Sequence, residues 1–177
     1  MGPGDDRACP AGIAIRRATP DDFGAIMAIA DTIARHLALA PVFGITLPEA
    51  VEGWREGWAR YLADPAVVIW LALRGGRLVG YQGFRPEPPG DDLLVPEGCC
   101  ELAIGATVPE ERGGGISRAL TDRTFAAARA AGYRYCLTDW RVTNLLASRH
   151  WPRRGFRPVA YRLARRIDPR IAWAYPR

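Results

Sequence analysis

The sequence contains no lysine, so its 24 basic residues are all arginines, and it contains only two histidines. Its four cysteines, none in a CxxC motif, are Cys9, Cys99, Cys100 and Cys136. This spacing argues against a zinc site or a disulfide framework, and we expect reduced thiols in a cytoplasmic protein. The longest apolar run, VVIWLAL, is far shorter than the roughly 20 residues that span a membrane. We therefore expect neither a metal site nor a membrane segment.

The length and composition are those of one globular domain. The 177 residues are 49% hydrophobic and 24% charged, which allows a core that folds without disulfides. We expect a flexible tail at residues 1–12, which lack signal-peptide character, a domain at 13–168 and an extension at 169–177. The net charge of +5 suits an anionic ligand. A nucleic-acid partner is not expected, because the C-terminal arginines alternate with apolar residues as on a half-exposed strand.

Hydrophobic periodicity predicts a mixed α/β fold. The expected elements are a strand at 13–17, a helix from the Thr19 cap to about Leu39, a helix at 48–62, a hairpin of strands at 66–73 and 78–84, a strand at 99–108, a helix at 115–131, a strand at 135–140, a helix at 144–153, and a strand pair at 156–159 and 161–167. An aromatic stripe with Trp54, Trp58 and Tyr61 on the second helix is interpreted as core rather than as a ligand platform.

The segment VPEERGGGISRAL, residues 108–120, has the pattern of an anion site. Three glycines follow an arginine, with a predicted strand before them and an amphipathic helix after them. Glycines let successive backbone N–H groups converge on one point that a Cβ would obstruct. The helix that begins there adds unpaired amides and the positive end of its dipole. The turn therefore predicts a phosphate-binding site, although it fits neither the dinucleotide fingerprint nor the nucleoside triphosphatase loop.

Two blocks of the sequence resemble the GCN5-related N-acetyltransferase (GNAT) family. Residues 112–117, R-x-x-G-x-S, resemble its Q/R-x-x-G-x-G/A signature, and residues 144–156 resemble its N-x-x-A-x-x-x-Y-x-x-x-G-F block in spacing throughout. The resemblance covers residues 13–168. It implies the GNAT fold, a largely antiparallel mixed sheet with a central parallel strand pair splayed into a V and about four flanking helices. It also admits a homodimer.

The resemblance implies that the chain binds acetyl-CoA without a metal and transfers the acetyl group to a primary amine. The cofactor-binding residues that it implies are Ala106, Thr107 and Val108 for the pantetheine arm, Arg112, Gly113, Gly114, Gly115, Ile116 and Ser117 for the pyrophosphate, and Asn144 in the second block. No nucleophile motif is present, which favours direct transfer in a ternary complex. The alternative is a catalytically silent acyl-CoA-binding or regulatory module.

Glu101 is the candidate general base, because an ammonium must lose a proton before it can attack a thioester. Strand alternation predicts that Glu101 shares one face with Gly105 and Thr107, and a bulge is expected at Gly105. Two alternatives remain open. In the first, Glu101 forms an ion pair with one of the many arginines and has no role as a base. In the second, Gly105 allows close packing and marks no bulge.

The proton for the departing thiolate has no obvious source. Trp151 stands where the family often has a tyrosine acid, and an indole N–H is no practical general acid. Solvent is the first candidate and Tyr161 the second, while His150 lies about 100° around the helix from Trp151.

The acceptor pocket is expected among the first two helices and their linker at 38–47, the loop at 86–98 and the last strand pair. Asp91 and Asp92 are candidate partners for a cationic amine, or simply an exposed acidic loop.

Overall fold

The computed structural model describes residues 9–42, 44, 48–90 and 95–161. Within them lies one five-stranded sheet whose strands follow chain order: β1 Ile13–Arg17, β2 Val68–Arg74, β3 Arg77–Glu87, β4 Cys99–Thr107 and β5 Tyr135–Leu137. The first three pairings are antiparallel and β4–β5 is parallel. This is the predicted mixed, largely antiparallel sheet, and its parallel pair lies at the β5 edge of the described strands.

Helices cover both faces of the sheet. The α-helices in the described chain are α1 Phe23–Met27, α2 Thr32–Ala38, α3 Pro48–Ala63, α4 Ile116–Ala130 and α5 Leu145–Arg153, and short 3-10 helices lie at Pro20–Asp22 and Pro109–Glu111. Ile26 and Trp58, from α1 and α3, pack on one face against Tyr81. Ile116 and Leu120, from α4, pack with Val79 on the other.

The single helix expected from Thr19 to Leu39 is wrong, because the chain divides there into a 3-10 turn, α1 and α2. Asp22 closes the first turn by accepting a hydrogen bond from the Thr19 backbone N–H at 2.8 Å. Ile29 and Thr32 then donate to carbonyls three residues back, which tightens the chain between α1 and α2. Burial of both Ile26 and Thr32 accompanies the break, so tertiary packing outweighs the continuous helical propensity.

The register between β3 and β4 contains an irregularity that the sequence pattern did not reveal. Gly83 lies opposite Ile104 and Arg85 opposite Glu101, so one β3 residue faces two residues of β4, at 102–103. The bulge expected at Gly105 is therefore wrong by two residues; Gly105 pairs regularly with Gln82. The extra residue reverses the alternation. Glu101 consequently shares a face with Ile104, on the side of α1–α3, and not with Gly105 as predicted.

The parallel pairing of β4 with β5 is short. It runs from Cys99–Tyr135 to Glu101–Leu137, although β4 continues to Thr107. The strand predicted at 135–140 thus ends at Leu137. Beyond Glu101, β4 has an edge without a β5 partner.

The chain ends agree only in part with the sequence-based expectations. Residues 156–161 form no strand, and 162–167 and the extension at 169–177 lie outside the described residues, as do 1–8. Residues 9–12 of the predicted tail form a turn, in which Ile13 donates to Pro10 and Arg74 to the Ala11 carbonyl.

All four cysteines are free. Across the described ranges, no group of three or more metal-ligating side chains occurs. No helix of that part of the chain has the length and apolar character needed to cross a bilayer.

Candidate active site

The glycine-rich turn connects β4 to α4 in a conformation that depends on glycine. Gly113 has a φ of +82° and Gly115, which caps α4, a φ of +87°. Side chains with a Cβ rarely adopt this left-handed region. Gly113, Gly114 and Ser117 are exposed, whereas Ile116 is buried and fixes the start of the helix. The turn is therefore an exposed stretch of backbone at a helix N-terminus.

The backbone amides of residues 113–118 are available to a ligand. Within the described chain, no side chain or carbonyl accepts a hydrogen bond from them. The first amide of α4 with an internal acceptor is that of Ala119, which donates to Gly115 at 3.0 Å. Amides that converge at the positive end of a helix dipole bind anions. The geometry of the turn thus suits the predicted pyrophosphate site.

Two acidic residues precede this anion site, and arginines of the β2–β3 hairpin pair with both. Arg74 binds Glu111 at 3.0 Å, and Arg77 reaches Glu110 at 3.5 Å. Unpaired carboxylates here would repel a phosphate. The pairs hold the 3-10 turn Pro109–Glu111 against the sheet. The sequence between the two predicted hairpin strands did not indicate this second role of Arg74 and Arg77.

Arg112 is used to hold the loop to β4, because its Nε donates to the Thr107 carbonyl at 3.2 Å. Val108 donates its N–H to Val79 of β3 at 3.0 Å. Backbone groups of a strand alternate in direction. Those of Gly105 and Thr107 therefore point to the edge without a β5 partner, while those of Ala106 and Val108 point to β3.

Asn144 caps α5. Its Oδ1 accepts a hydrogen bond from the Ala147 N–H at 3.4 Å and lies 3.2 Å from the His36 Nε2. This contact joins α2 to the start of α5. The role of His36 was not apparent from the sequence, since its partner lies 108 residues away.

Glu101 forms an ion pair with Arg85. The Glu101 Oε2 and Arg85 Nη2 atoms are 2.5 Å apart, and Arg85 also pairs with Glu87 at 3.0 Å. Burial lowers the pKa of Arg85, but the two carboxylates outweigh it and raise that pKa above its ordinary value. The ion-pair alternative for Glu101 is thus present in the structure.

A buried polar chain crosses the opposite face of the sheet. The Thr121 hydroxyl oxygen lies 2.8 Å from the Ser117 carbonyl oxygen, 2.9 Å from the Gln82 Oε1 and 3.3 Å from the His150 Nε2. Burial, and secondarily the charge of Arg154, lower the pKa of His150, so its neutral form is favoured.

The side chains near the expected acid position differ in their surroundings. The Trp151 ring packs on Phe156, with ring centroids 5.3 Å apart, beside the Phe84–Cys100 cluster. Tyr161 is 74% exposed, at the last described residue, and does not reach inward as expected. Its role as an acid stays a prediction.

A cavity of about 310 Å³ opens between α2, α3 and the sheet. Its walls include Trp54, Tyr61, Tyr81 and Ile104. The aromatic stripe of α3 thus lines the cavity at Trp54, Trp58 and Tyr61, and Trp58, which is 8% exposed, also belongs to the core. The cavity is bordered by α2 and α3, which overlap the first two helices predicted from the sequence. Asp91 and Asp92 lie outside the described residues.

Comparison with known proteins identifies the family of this chain. The Acetyltransferase (GNAT) family model matches residues 35–156, which contain both sequence blocks. The chain belongs to this family. A curated relative, the mycothiol acetyltransferase of Geodermatophilus obscurus, is 37% identical over 93 residues. The match covers 52% of this chain but only 29% of that protein.

Solved structures place this GNAT chain within the same fold. The aminoglycoside N-acetyltransferase AAC(6')-Iy in complex with CoA matches 88% of this chain and 99% of its own, with a TM-score of 0.65 and 13% identity. The PaiA N-acetyltransferase of Thermoplasma acidophilum, also with coenzyme A, matches 82% of this chain and 89% of its own, with a TM-score of 0.65 and 17% identity. At these identities the likeness concerns the fold.

Proposed function

We propose that this protein is an acetyl-CoA-dependent N-acetyltransferase that transfers the acetyl group directly to a primary amine. The observation that carries the proposal is the turn at residues 113–118, whose free amides lie at the N-terminus of α4 beside the open edge of β4. Family membership supplies the chemistry. The named relatives are acetyltransferases, and nothing in the comparisons favours the silent-module alternative.

The chain would hold the donor at two places. The amides of residues 113–118 would bind the pyrophosphate, and the backbone groups of Gly105 together with the Thr107 N–H would hydrogen-bond the pantetheine arm as a missing strand would. Arg112 and Asn144 would contribute mainly through the positions of the loop and of α5. The thioester would then lie along β4, beside Ile104 and the cavity.

The transfer forms a bond between the amine nitrogen and the acetyl carbon and breaks the bond between that carbon and sulfur. The ammonium proton must leave first, and Glu101, on the cavity side of β4, would accept it directly or through a water molecule. After attack, the nitrogen would lose its second proton to solvent as the carbon–sulfur bond breaks, and the departing thiolate would take up a proton from solvent. Coenzyme A is a good leaving group, since a free thiol has a pKa near ~8.5.

The function is tested by acetyl-CoA-dependent thiol release with purified protein across a panel of amines, together with a thermal shift on acetyl-CoA binding. We expect both signals. Binding without thiol release from any amine would favour the silent module, and the absence of binding would contradict the proposal. Light scattering during chromatography tests the homodimer, which stays a prediction.

The role of Glu101 is tested by Glu101→Gln, with Arg85→Gln as the matched control that breaks the same ion pair. A general base contributes ~10²–10⁴-fold to the rate. We expect Glu101→Gln to lower kcat by that factor and Arg85→Gln to lower it far less. Equal losses of kcat in the two variants would show that Glu101 acts only through its ion pair with Arg85 and not as a base.

A further inference from the structure

We infer that the acceptor is a monoamine with a flat apolar body, bound in the cavity between α2, α3 and the sheet. The inference rests on the proposed function and specifies its substrate class. It follows from the walls of the cavity, from two glycines of α3, and from the placement of charge around its ends.

The cavity walls are apolar and largely aromatic. Ile33 and Leu37 of α2 face Trp54 and Trp58 of α3, and Tyr81 and Ile104 form the floor. Among the described residues that line the cavity, none is charged. A polycation placed here would bury charges that have no partner, which is costly. The volume of about 310 Å³ equals that of roughly ten water molecules, enough for one ring and a short side chain.

Two glycines of α3 leave part of this volume open. Gly53 and Gly57 are one helical turn apart, and both line the cavity. A Cβ added at either would meet no heavy atom within 4 Å, so protein packing does not require their small size. Each glycine costs a helix interior ~1 kcal/mol relative to alanine. The open space therefore points to an occupant from outside the chain.

Charges lie beside the cavity. Tyr61 is close enough to Arg85 to contribute to the raised pKa of that residue, and Arg85 in turn binds Glu101. Asp31 acts in the same way on Tyr81, whose pKa is raised chiefly by burial, but Asp31 is already paired with Arg35 at 2.6 Å. Glu101 shares the face of Ile104, where β4 leaves β5. One ammonium can thus be met at the β4 end, while the body of the amine lies among the aromatic side chains.

The test compares phenethylamine, ethylamine, spermidine and neamine as acceptors for the full chain with acetyl-CoA. We expect kcat/KM to be roughly 10- to 100-fold higher for phenethylamine than for ethylamine, the effect of burying one ring. Spermidine and neamine should be poorer still. Equal or better use of either polycation would overturn the inference while leaving the proposed function intact.

A matched pair of variants ties the preference to the cavity. Gly57→Leu fills the open volume and should lower kcat/KM for phenethylamine at least about tenfold. Gly24→Leu is the control, because Gly24 is also helical with no heavy atom within 4 Å of an added Cβ, but lies outside the cavity wall. The affinity for CoA should be unchanged in both. Equal effects of the two substitutions would contradict the placement.

Binding provides a readout that does not depend on turnover. Saturation-transfer NMR should detect phenethylamine on the CoA-bound protein, and Gly57→Leu should abolish the signal while Gly24→Leu retains it. If no amine is acetylated, the proposed function fails, and this binding pattern still supports the apolar amine site. Absence of phenethylamine binding to the unsubstituted protein would overturn the inference.

Discussion

Substitution of Gly115 separates two effects of this residue, the conformation of the loop and access to the phosphate. The residue has a φ of +87° and a ψ of 0° at the cap of α4. A Cβ added there would lie 3.6 Å from the Pro10 Cγ, an ordinary contact, so the protein itself has room for alanine. The folding cost of Gly115→Ala therefore comes from the left-handed backbone alone.

That cost is about 1–2 kcal/mol. For a chain of this size it corresponds to a Tm lower by about 2–8 °C. The effect on CoA is separate, because the new methyl group stands beside the amides that receive the pyrophosphate. Loss of one hydrogen bond to a charged group is ~1.5–3 kcal/mol, or about 10- to 150-fold in Kd.

Two further variants distinguish these effects. Gly132, beyond the other end of α4, has a φ of +88° and open space around it. It lies about 22 Å from the loop, given 15 helical residues at ~1.5 Å each. Gly132→Ala should lower the Tm equally and leave CoA affinity unchanged. Gly115→Asn should retain more stability, since asparagine tolerates this conformation, yet bind CoA as weakly as Gly115→Ala.

Calorimetric titration with CoA at fixed salt and thermal unfolding measure the two quantities. The reasoning is refuted if Gly115→Ala loses stability as Gly132→Ala does but binds CoA as tightly as the unsubstituted protein. The loop would then be a structural turn, and the anion site would have to lie elsewhere.

Three further predictions concern stability. Asp22, held by Arg16 and Thr19, has its pKa lowered from 3.8 to about 2, so Asp22→Asn should cost about 2 kcal/mol at pH 7 in urea unfolding, a difference that shrinks as pH falls below 4. A difference in the free energy of unfolding that stays the same between pH 7 and pH 2 would contradict this prediction. The pKa of His150 is lowered, so protonation favours the unfolded state and the Tm should fall as pH drops below 6.5. His150→Gln should make the Tm less dependent on pH in this range. A pH dependence of the Tm that is the same in the variant would refute this prediction. Asn144→Ala removes the α5 cap and should lower the Tm by about 2–4 °C, whereas an unchanged Tm would show that the cap is dispensable.

Local signals predicted much of this fold. Glycines in sequence, a proline before them and an amphipathic run after them are sufficient to place the turn between β4 and α4, because the physics of a helix N-terminus is local. The helix at 144–153 was also predicted, whereas the role of Asn144 as its cap emerged only from the structure. The family blocks then supplied the topology, which no local pattern contains.

The remaining features depend on contacts between distant segments. The break between α1 and α2 has no proline or glycine within it, and only the packing of Ile26 and Thr32 explains it. The bulge at 102–103 is a property of two paired strands, and the sequence of β4 taken alone predicts regular alternation. The Arg85–Glu101 pair follows from that register. Sequence reasoning listed an arginine partner for Glu101 but had no means of choosing which.

The bulge also constrains the length of β4. One extra residue separates a half that carries Glu101 on the side of α1–α3 from a half whose backbone edge has no β5 partner. Deletion of Ala103 would restore uniform alternation and turn Glu101 toward the layer of α4, with every side chain chemically unchanged. In this chain, the count of residues in one strand is as much a determinant of the active site as their identity.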